Sequence, residues 1–329
     1  MALTLHQLRI FHAVARYGNL TRAAEHLGLS QPAVSIQIKQ LERLLGLSLF
    51  KTVGRGQRLT EAGDVLDEHA VRVLAQLDEL REAVDELRGI ERGRLVVAAD
   101  TTVGIYVMPQ LLGTWHQEYS KVDVDLRVGN QGFVCQLLRN NEVDIAVVSN
   151  VPQIADLEVE EFLPNRLVII APPDHPLAQR EGPLPADALS TQPFLVREDG
   201  SSTRSAMEAF CDQAGVELHI AMQLGSIGAI KQGVASGLGL GVVSERAIGN
   251  ELAVGALVIV NVEGFPLALK WYIVHYRQKR LSPAAKSFKA FLRSAQAILA
   301  EPSLARAASA EVPRKLRREV PIRSMEQRA

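Results

Sequence analysis

Apolar positions follow three rhythms along the chain. In the first sixty residues they recur with helical spacing. Leu8, Phe11, Val14 and Ala15 make one stripe, which ends near Gly18, and Thr4-x-x-Gln7 ahead of it has the spacing of a capping box. Asn19 or Thr21 caps a short second helix, Arg22–Leu27, with Gly28 as its turn. Ser30-Gln31-Pro32 opens a third helix, where proline is tolerated in the first turn. Val34, Ile38, Leu41 and Leu45 form its buried face. From Thr60 to Gly89 the pattern changes. Leu66, Ala70, Val73, Leu77, Leu80, Val84 and Leu87 alternate steps of four and three, the a/d repeat of a coiled coil, with charged outer positions. The repeat predicts one helix of about 30 residues, on the order of 45 Å long, that pairs with a second chain. An amphipathic helix packed on its own domain is the plainer alternative.

After a glycine-flanked hinge, Gly89–Gly93, strands and helices alternate. Leu95–Ala98, Val124–Val128, Asp144–Val148, Leu167–Ala171, Phe194–Val196, Ile220–Leu224, Leu240–Val243 and Leu269–His275 read as strands. One helix follows Thr101-Thr102 and runs through Met108–Trp115; others lie at Val134–Leu138, Arg204–Ala214, Ala229–Ser236 and Pro283–Leu299. Short β-rich runs separated by helices predict parallel sheets of α/β type.

Composition bounds the answer without deciding it. The chain has 329 residues, 22% of them charged and 47% hydrophobic, which fits two or three globular units and excludes global disorder. No run is long enough to span a membrane and no signal peptide is visible, so a soluble cytoplasmic protein is expected. Two cysteines exclude a disulfide framework and a multi-cysteine zinc site.

The net charge is −1, but it is unevenly spread. Residues 1–60 hold eight arginines and lysines against two acids, and residues 61–92 hold ten acids against four arginines. A basic module beside an acidic segment points to a polyanionic partner for the first. Within it, Gln31, Ser35, Lys39 and Arg43 line the third helix opposite its apolar face. Two helices joined by a glycine turn, the second polar and basic, make a helix-turn-helix able to enter a major groove. Arg55-Gly56-Gln57-Arg58 reads as a hairpin wing with arginines for phosphates. On spacing alone, an ordinary three-helix bundle with a solvated face fits equally well.

A longer match separates the two. Leu8-Arg9-Ile10-Phe11, Ala23-Ala24-Glu25-His26-Leu27, Ser30-Gln31-Pro32-Ala33-Val34-Ser35, Ile38-Lys39-Gln40-Leu41-Glu42, Gly46, Leu49-Phe50 and Leu59-Thr60-Glu61-Ala62-Gly63 occur in order. This run resembles the LysR-type transcriptional regulators. The resemblance implies a winged helix-turn-helix over 1–60, with its motif near Thr21–Gln40, and a linker helix over 61–91 that dimerises antiparallel. Beyond it, a two-lobed α/β effector domain of periplasmic-binding-protein type is expected over 92–300. Lobe I would comprise 92–164 and 269–300, and lobe II 165–268. The expected DNA contacts are Thr21, Arg22, Ser30, Gln31, Pro32, Ser35, Gln37, Lys39, Arg55 and Arg58. Family members often carry a polar or basic residue where this chain has Ile36, so that position meets a thymine methyl or nothing. The implied partners are a pseudo-palindromic double-stranded DNA operator, a further copy of the chain in a dimer or tetramer, RNA polymerase and a small-molecule effector. The pattern Ser35–Glu42, with Val128-Gly129-Asn130 and Leu224-Gly225-Ser226, looks nearest to regulators of carbon-fixation operons, which sense phosphorylated metabolites or nicotinamide nucleotides.

Ligands of open α/β sheets sit beyond the carboxyl ends of strands, against helix N-termini. Thr101 and Thr102, Ser149 and Asn150, Ser201, Ser202, Thr203 and Arg204, and Ser226 occupy such places, so an anionic effector between the lobes is expected there. Helix capping explains each of them singly. No phosphate loop, H-E-x-x-H or nucleophile elbow is present, the histidines share no metal-ligand spacing, and no cofactor or catalytic function is expected. Gly237-Leu238-Gly239-Leu240-Gly241 lacks the third glycine of a dinucleotide loop, since Ser244 stands in its place. A thiol-based redox regulator through Cys135 or Cys211 is the competing mechanism. Residues 301–329, with seven basic and four acidic residues and three prolines, read as a flexible basic tail.

Overall fold

A computed structural model describes residues 3–54, 56–86 and 93–299. The chain divides into two compact units, Met1–Arg88 and Gly89–Ala329. The expected Gly89–Gly93 hinge falls largely on residues outside those described, as do Leu87, Arg55 and the 301–329 tail.

In the first unit, α1 (Leu5–Tyr17), α2 (Leu20–Leu27) and α3 (Gln31–Leu45) are followed by a hairpin, β1 (Phe50–Val53) and β2 (Gly56–Leu59), and by α4 (Glu61–Glu86). The capping box at Thr4 and Gln7 forms, and Gly18, Gly28 and Gly46 end the three helices with left-handed backbones. Asn19, not Thr21, caps α2, so this helix starts two residues earlier than predicted. Val34, Ile38 and Leu41 are buried with Leu8, Phe11 and Val14. Leu45 is exposed, because α3 has run past the core by its last turn. Glu42 accepts the amide of Leu49 at 2.8 Å and locks the end of α3 to the wing. His12 Nδ1 lies 2.8 Å from Asp67 Oδ1, tying α1 to α4. A Cβ on Gly63 would stand 2.2 Å from the Leu49 carbonyl oxygen, so α4 can pass the wing this closely only with glycine there. The first heptad of α4 packs inward, with Ala70 buried and Leu66 against the helical core. The later positions Val73, Leu80 and Val84 are exposed, Leu80 by 61%.

The second unit is built on one nine-stranded sheet. Its first part is β3 (Gly93–Asp100), α5 (Thr101–Tyr106), α6 (Met108–Glu118), β4 (Val122–Gly129), α7 (Gln131–Arg139) and β5 (Ile145–Val148). The long strand β6 (Leu157–Ala171) leads to β7 (Phe194–Arg197), α8 (Ser202–Ala214), β8 (Ile220–Leu224), α9 (Ile227–Ala235) and β9 (Leu240–Ser244). After α10 (Gly249–Ala253) and β10 (Val258–Val260), β11 (Leu267–Tyr276) and α11 (Pro283–Leu299) complete it. The strand order is β4-β3-β5-β11-β6-β9-β7-β8, with β10 also paired to β6. The expected parallel arrangement holds within β4-β3-β5 and β8-β7-β9, but β6 and β11 run antiparallel through the middle, so the sheet is mixed. Separate apolar clusters lie on either side of that crossing, one set reaching Leu163, Trp271 and Ile273, the other beginning at Leu167 and Leu269. The helix predicted after Thr101 is broken at Val107, because Pro109 cannot continue it.

The first half of β6 escaped the sequence reading because it carries Glu158, Glu160 and Glu161. The fold matches each with a cation. Lys270 meets Glu161 at 2.7 Å, Lys289 meets Glu158 at 2.7 Å, and Arg293 binds Glu160 through two nitrogens at 2.5 and 2.7 Å. The Arg293 guanidinium, with the Lys289 ammonium behind it and burial opposing, holds the Glu160 carboxyl down to about 2. A carboxyl lowered on folding stabilises the native state above its unfolded pKa and loses that contribution as pH falls toward the folded value. Acid titration of unfolding should therefore show stability falling between about pH 4.5 and pH 2, and Glu160→Gln should flatten that part of the curve.

Candidate functional site

On the first unit, Thr21, Arg22, Ser30, Gln31, Pro32, Lys39 and Arg58 are exposed and Ser35 is half-buried. At about 100° per residue, Gln31, Pro32, Ser35, Ile36, Lys39 and Arg43 share the outer side of α3, opposite Val34, Ile38 and Leu41. Gln37 stands apart. It is half-buried and lies round the helix toward Leu41, off the outer stripe. Ile36 is 54% exposed, an apolar side chain displayed among polar ones. Ser30 caps α3 through the amide of Ala33. In the wing, Lys51 and Arg58 stand directly opposite one another. Like charges at that spacing destabilise a hairpin, and a polyanion laid across them would relieve the repulsion.

In the second unit a narrow polar cleft lies at the carboxyl ends of the parallel strands. It is lined by Asp100, Thr101, Thr102, Asn130, Gln131, Arg197, Gly200, Ser201 and Ser202. The strand ends β3, β4 and β7 and the starts of α5, α7 and α8 thus meet at one place. Thr101 Oγ1 donates to the Gly129 carbonyl at 3.0 Å and joins two of these ends. Asn130 caps α7 through the Phe133 amide at 3.0 Å. Ser201 holds the equivalent place on α8, but its hydroxyl makes no capping bond, which leaves the first amides of α8 without a side-chain cap. Arg197 is 3% exposed, and Glu198 binds its Nε and Nη2 at 2.7 Å each.

Of the residues expected around an effector, the cleft gathers Thr101, Thr102, Ser201 and Ser202. Ser149 is buried beside it and gives its amide to Asp100 at 2.6 Å. Asn150 reaches the rim, 3.5 Å from the Gln131 amide oxygen. Thr203 is buried in α8, and Ser226 caps α9 through Ala229. Arg204 is occupied elsewhere, by Asp199 at 2.6 Å, Glu208 at 2.7 Å and Gln223 at 2.8 Å. The cleft arginine is Arg197, the residue after the Phe194–Val196 run read as a strand, and it was not among the expected contacts. Asn130, quoted only within the Val128-Gly129-Asn130 pattern, and Gln131 were not among the expected effector contacts either, although an Asn just past a strand, opening a helix, is the same signal as the serines. Gly239 and Gly241 serve packing: a Cβ at either would press on Pro193 or on Ile230. Burial pushes both thiols up, Cys135 on α7 and Cys211 within a core cluster, the reverse of what a reactive cysteine needs.

The bacterial regulatory helix-turn-helix model of the lysR family matches residues 5–64, and the LysR substrate binding domain model matches residues 88–297. The chain is a LysR-family transcriptional regulator. It binds DNA through the first unit and answers to a small molecule through the second. A RuBisCO operon transcriptional regulator of Allochromatium vinosum is 44% identical over 294 residues, covering 89% of this chain and 97% of that one. The transcriptional activator CmpR of Synechocystis is 38% identical over 289 residues, 88% of this chain and 94% of its own. Among solved structures, the Synechocystis CcmR regulatory domain in complex with 2-PG is 36% identical with a TM-score of 0.60, covering 62% of this chain and 98% of that domain. Full-length OxyR C199D from Pseudomonas aeruginosa shares the fold, at 24% identity and a TM-score of 0.71, over 89% of this chain and 95% of that one. No described helix of this LysR-family regulator is long and apolar enough to cross a membrane.

The two cap positions separate ligand chemistry from helix capping. Asn130→Ala should cost the effector unit about 1 kcal/mol in a urea titration. Ser201→Ala, which removes no capping bond, should change stability by less than about 0.5 kcal/mol.

Proposed function

We propose that this LysR-family regulator controls a carbon-fixation operon in the cytoplasm, and that a phosphorylated or carboxylated metabolite bound in the polar cleft sets its action. The observation that carries the pathway is the 44% identity to a RuBisCO operon regulator over 97% of that protein's length. The cleft supports the ligand class: residues from three helix starts, four of them bearing hydroxyls, line one small volume with a buried guanidinium. The CcmR regulatory domain, similar over 98% of its length, is bound to 2-PG. The exposed Val73, Leu80 and Val84 on α4 support pairing with a second copy as a coiled coil, and dimers joined in turn give a tetramer. A two-fold dimer presents two copies of α3 to a pseudo-palindromic operator. The protein acts by binding rather than by catalysis, changing the presentation of DNA to RNA polymerase.

Gln31, Ser35 and Ile36 are proposed to meet base edges, with Arg22, Lys39, Arg58 and Arg55 on phosphates. Footprinting beside the gene's own promoter should reveal a two-fold site. On it, Gln31→Ala should relax discrimination at one position by about 1–3 kcal/mol, while Arg58→Ala should weaken all sequences alike and lower the salt slope by about 1. Equal losses on every sequence for Gln31→Ala would remove its base-reading role. For the ligand, 2-PG at about 100 times its Kd should stabilise the full-length protein by about 2.7 kcal/mol in thermal melting. A flat response to 2-PG and to other phosphorylated and carboxylated metabolites would refute the anionic effector.

A further inference from the structure

The cleft contains one acid that its neighbours do not neutralise. Asp100, at the end of β3, is 5% exposed. Its Oδ2 accepts the Ser149 amide at 2.6 Å, yet its Oδ1 is wholly buried and meets no hydrogen-bond partner among the described residues. Asp144, at the start of β5 and equally buried, shows how this fold otherwise treats such a group. Its Oδ2 accepts the Val96 amide at 2.8 Å and its Oδ1 lies 3.1 Å from Lys279 Nζ. Among the described residues no such cation pairs with Asp100. The charged side chain lining the cleft with it is Arg197 from β7, two of whose nitrogens belong to Glu198. From α7 the facing titratable group is the Cys135 thiol, which burial pushes up, with Arg139 opposing and the Asp100 charge adding to the rise. From α5 and α8 the lining groups are Thr101, Thr102, Ser201 and Ser202, which are neutral.

An ionised carboxylate with an empty buried oxygen is a costly arrangement, and an approaching anion would worsen it. A proton on that oxygen removes both difficulties. We propose that Asp100 Oδ1 and an oxygen of the anionic effector share a single proton, so that the occupied cleft is held by a carboxyl–oxyanion hydrogen bond and effector binding is linked to proton uptake. Where Asp100 and the effector are both ionised beforehand, that proton is drawn from solvent and binding takes up one; where either already carries it, the uptake falls toward zero. In each case the complex contains one proton at that contact. The ligand class is an oxyanion able to accept or carry that proton, a phosphate monoester or a carboxylate. This deepens, and rests on, the reading of the cleft as the effector site. Burial raises the Asp100 carboxyl above its ordinary range by more than its bonds to Ser149 lower it, which favours the protonated form.

The test is calorimetric titration of the full-length protein with 2-PG from about pH 6 to about pH 8, in two buffers of different protonation enthalpy, for wild type and Asp100→Asn. The amide supplies a permanent donor in the same volume. Wild type should take up more protons than Asp100→Asn, by up to about one, and its affinity should fall with pH more steeply, by up to about tenfold more per unit. Identical proton uptake and identical slopes in the two proteins overturn the shared proton while leaving the effector reading intact. No binding of 2-PG or inorganic phosphate to wild type at any of these pH values overturns both. Should Asp100→Asn fail to fold, the carboxyl carbon resonance of Asp100 decides in the wild type. With saturating 2-PG it should titrate at higher pH than in the free protein, and an unchanged titration refutes the proposal.

Discussion

Amides in the first turn of a helix have no partner within that helix, and where strands end and helices begin together those amides must be satisfied by something. The second unit places three such junctions side by side, after β3, β4 and β7. It satisfies them unevenly: Asn130 closes the start of α7, while Ser201 leaves α8 without a side-chain cap. On its α8 side the cleft is therefore short of acceptors, with the Arg197 guanidinium beside it, while on its β3 side the Asp100 carboxylate has an oxygen to spare. On the proposed reading, an anion supplies what the α8 side lacks. The same reasoning makes the expected site residues separable, since Ser226 spends its hydroxyl on its own helix and Arg204 spends its guanidinium on Asp199 and Glu208.

Charge placement in the rest of the molecule follows two opposite rules. On β6 every acid is answered by a cation from β11 or α11, which lets a strand with three glutamates sit in the middle of a sheet. On the wing, Lys51 and Arg58 are set against each other, with no acid paired to either among the described residues. An uncompensated pair of cations on an exposed hairpin beside an outward-facing α3 makes sense where the compensation is brought by a nucleic-acid backbone.

Much of this was legible from the chain itself, and the failures share a cause. The helical head could be read almost residue by residue because its signals are local: Thr4 and Gln7, Gly18, Gly28, and Pro32 act within one turn. Leu45 was misplaced because periodicity says which side a residue is on, not whether a core still exists beneath it. The first half of β6 was missed because its glutamates are neutralised by residues more than a hundred positions away. Arg197 was missed for a similar reason: a charged residue at the end of an apolar strand is ordinary until the strand is known to end in a cleft. Local rules found the helix starts, and tertiary pairing chose among them.

The two long antiparallel strands then constrain how a ligand can have any effect at all. An effector shifts a conformational equilibrium only by its differential affinity for the two states. The apolar clusters of the second unit separate between Leu163 and Leu167 on β6 and between Leu269 and Trp271 on β11. Every change in angle between those clusters must be taken up where the chain crosses from one to the other. At that crossing Leu269 faces Asn165, the β6–β11 register slips between Lys270 and Tyr272, and the buried Asn165 Oδ1 lacks a partner. A register slip and an unmet side-chain acceptor among the described residues make this an irregular stretch of the ladder. The groups lining the cleft come from both sides of that crossing, Asp100 and Asn130 from one and Arg197 and Ser201 from the other. On the proposed reading, a ligand bonded to both sets would fix the crossing angle, whereas one bonded to a single set would leave it free. Affinity and response would then be separate properties of the same cleft, with bridging contacts deciding the second.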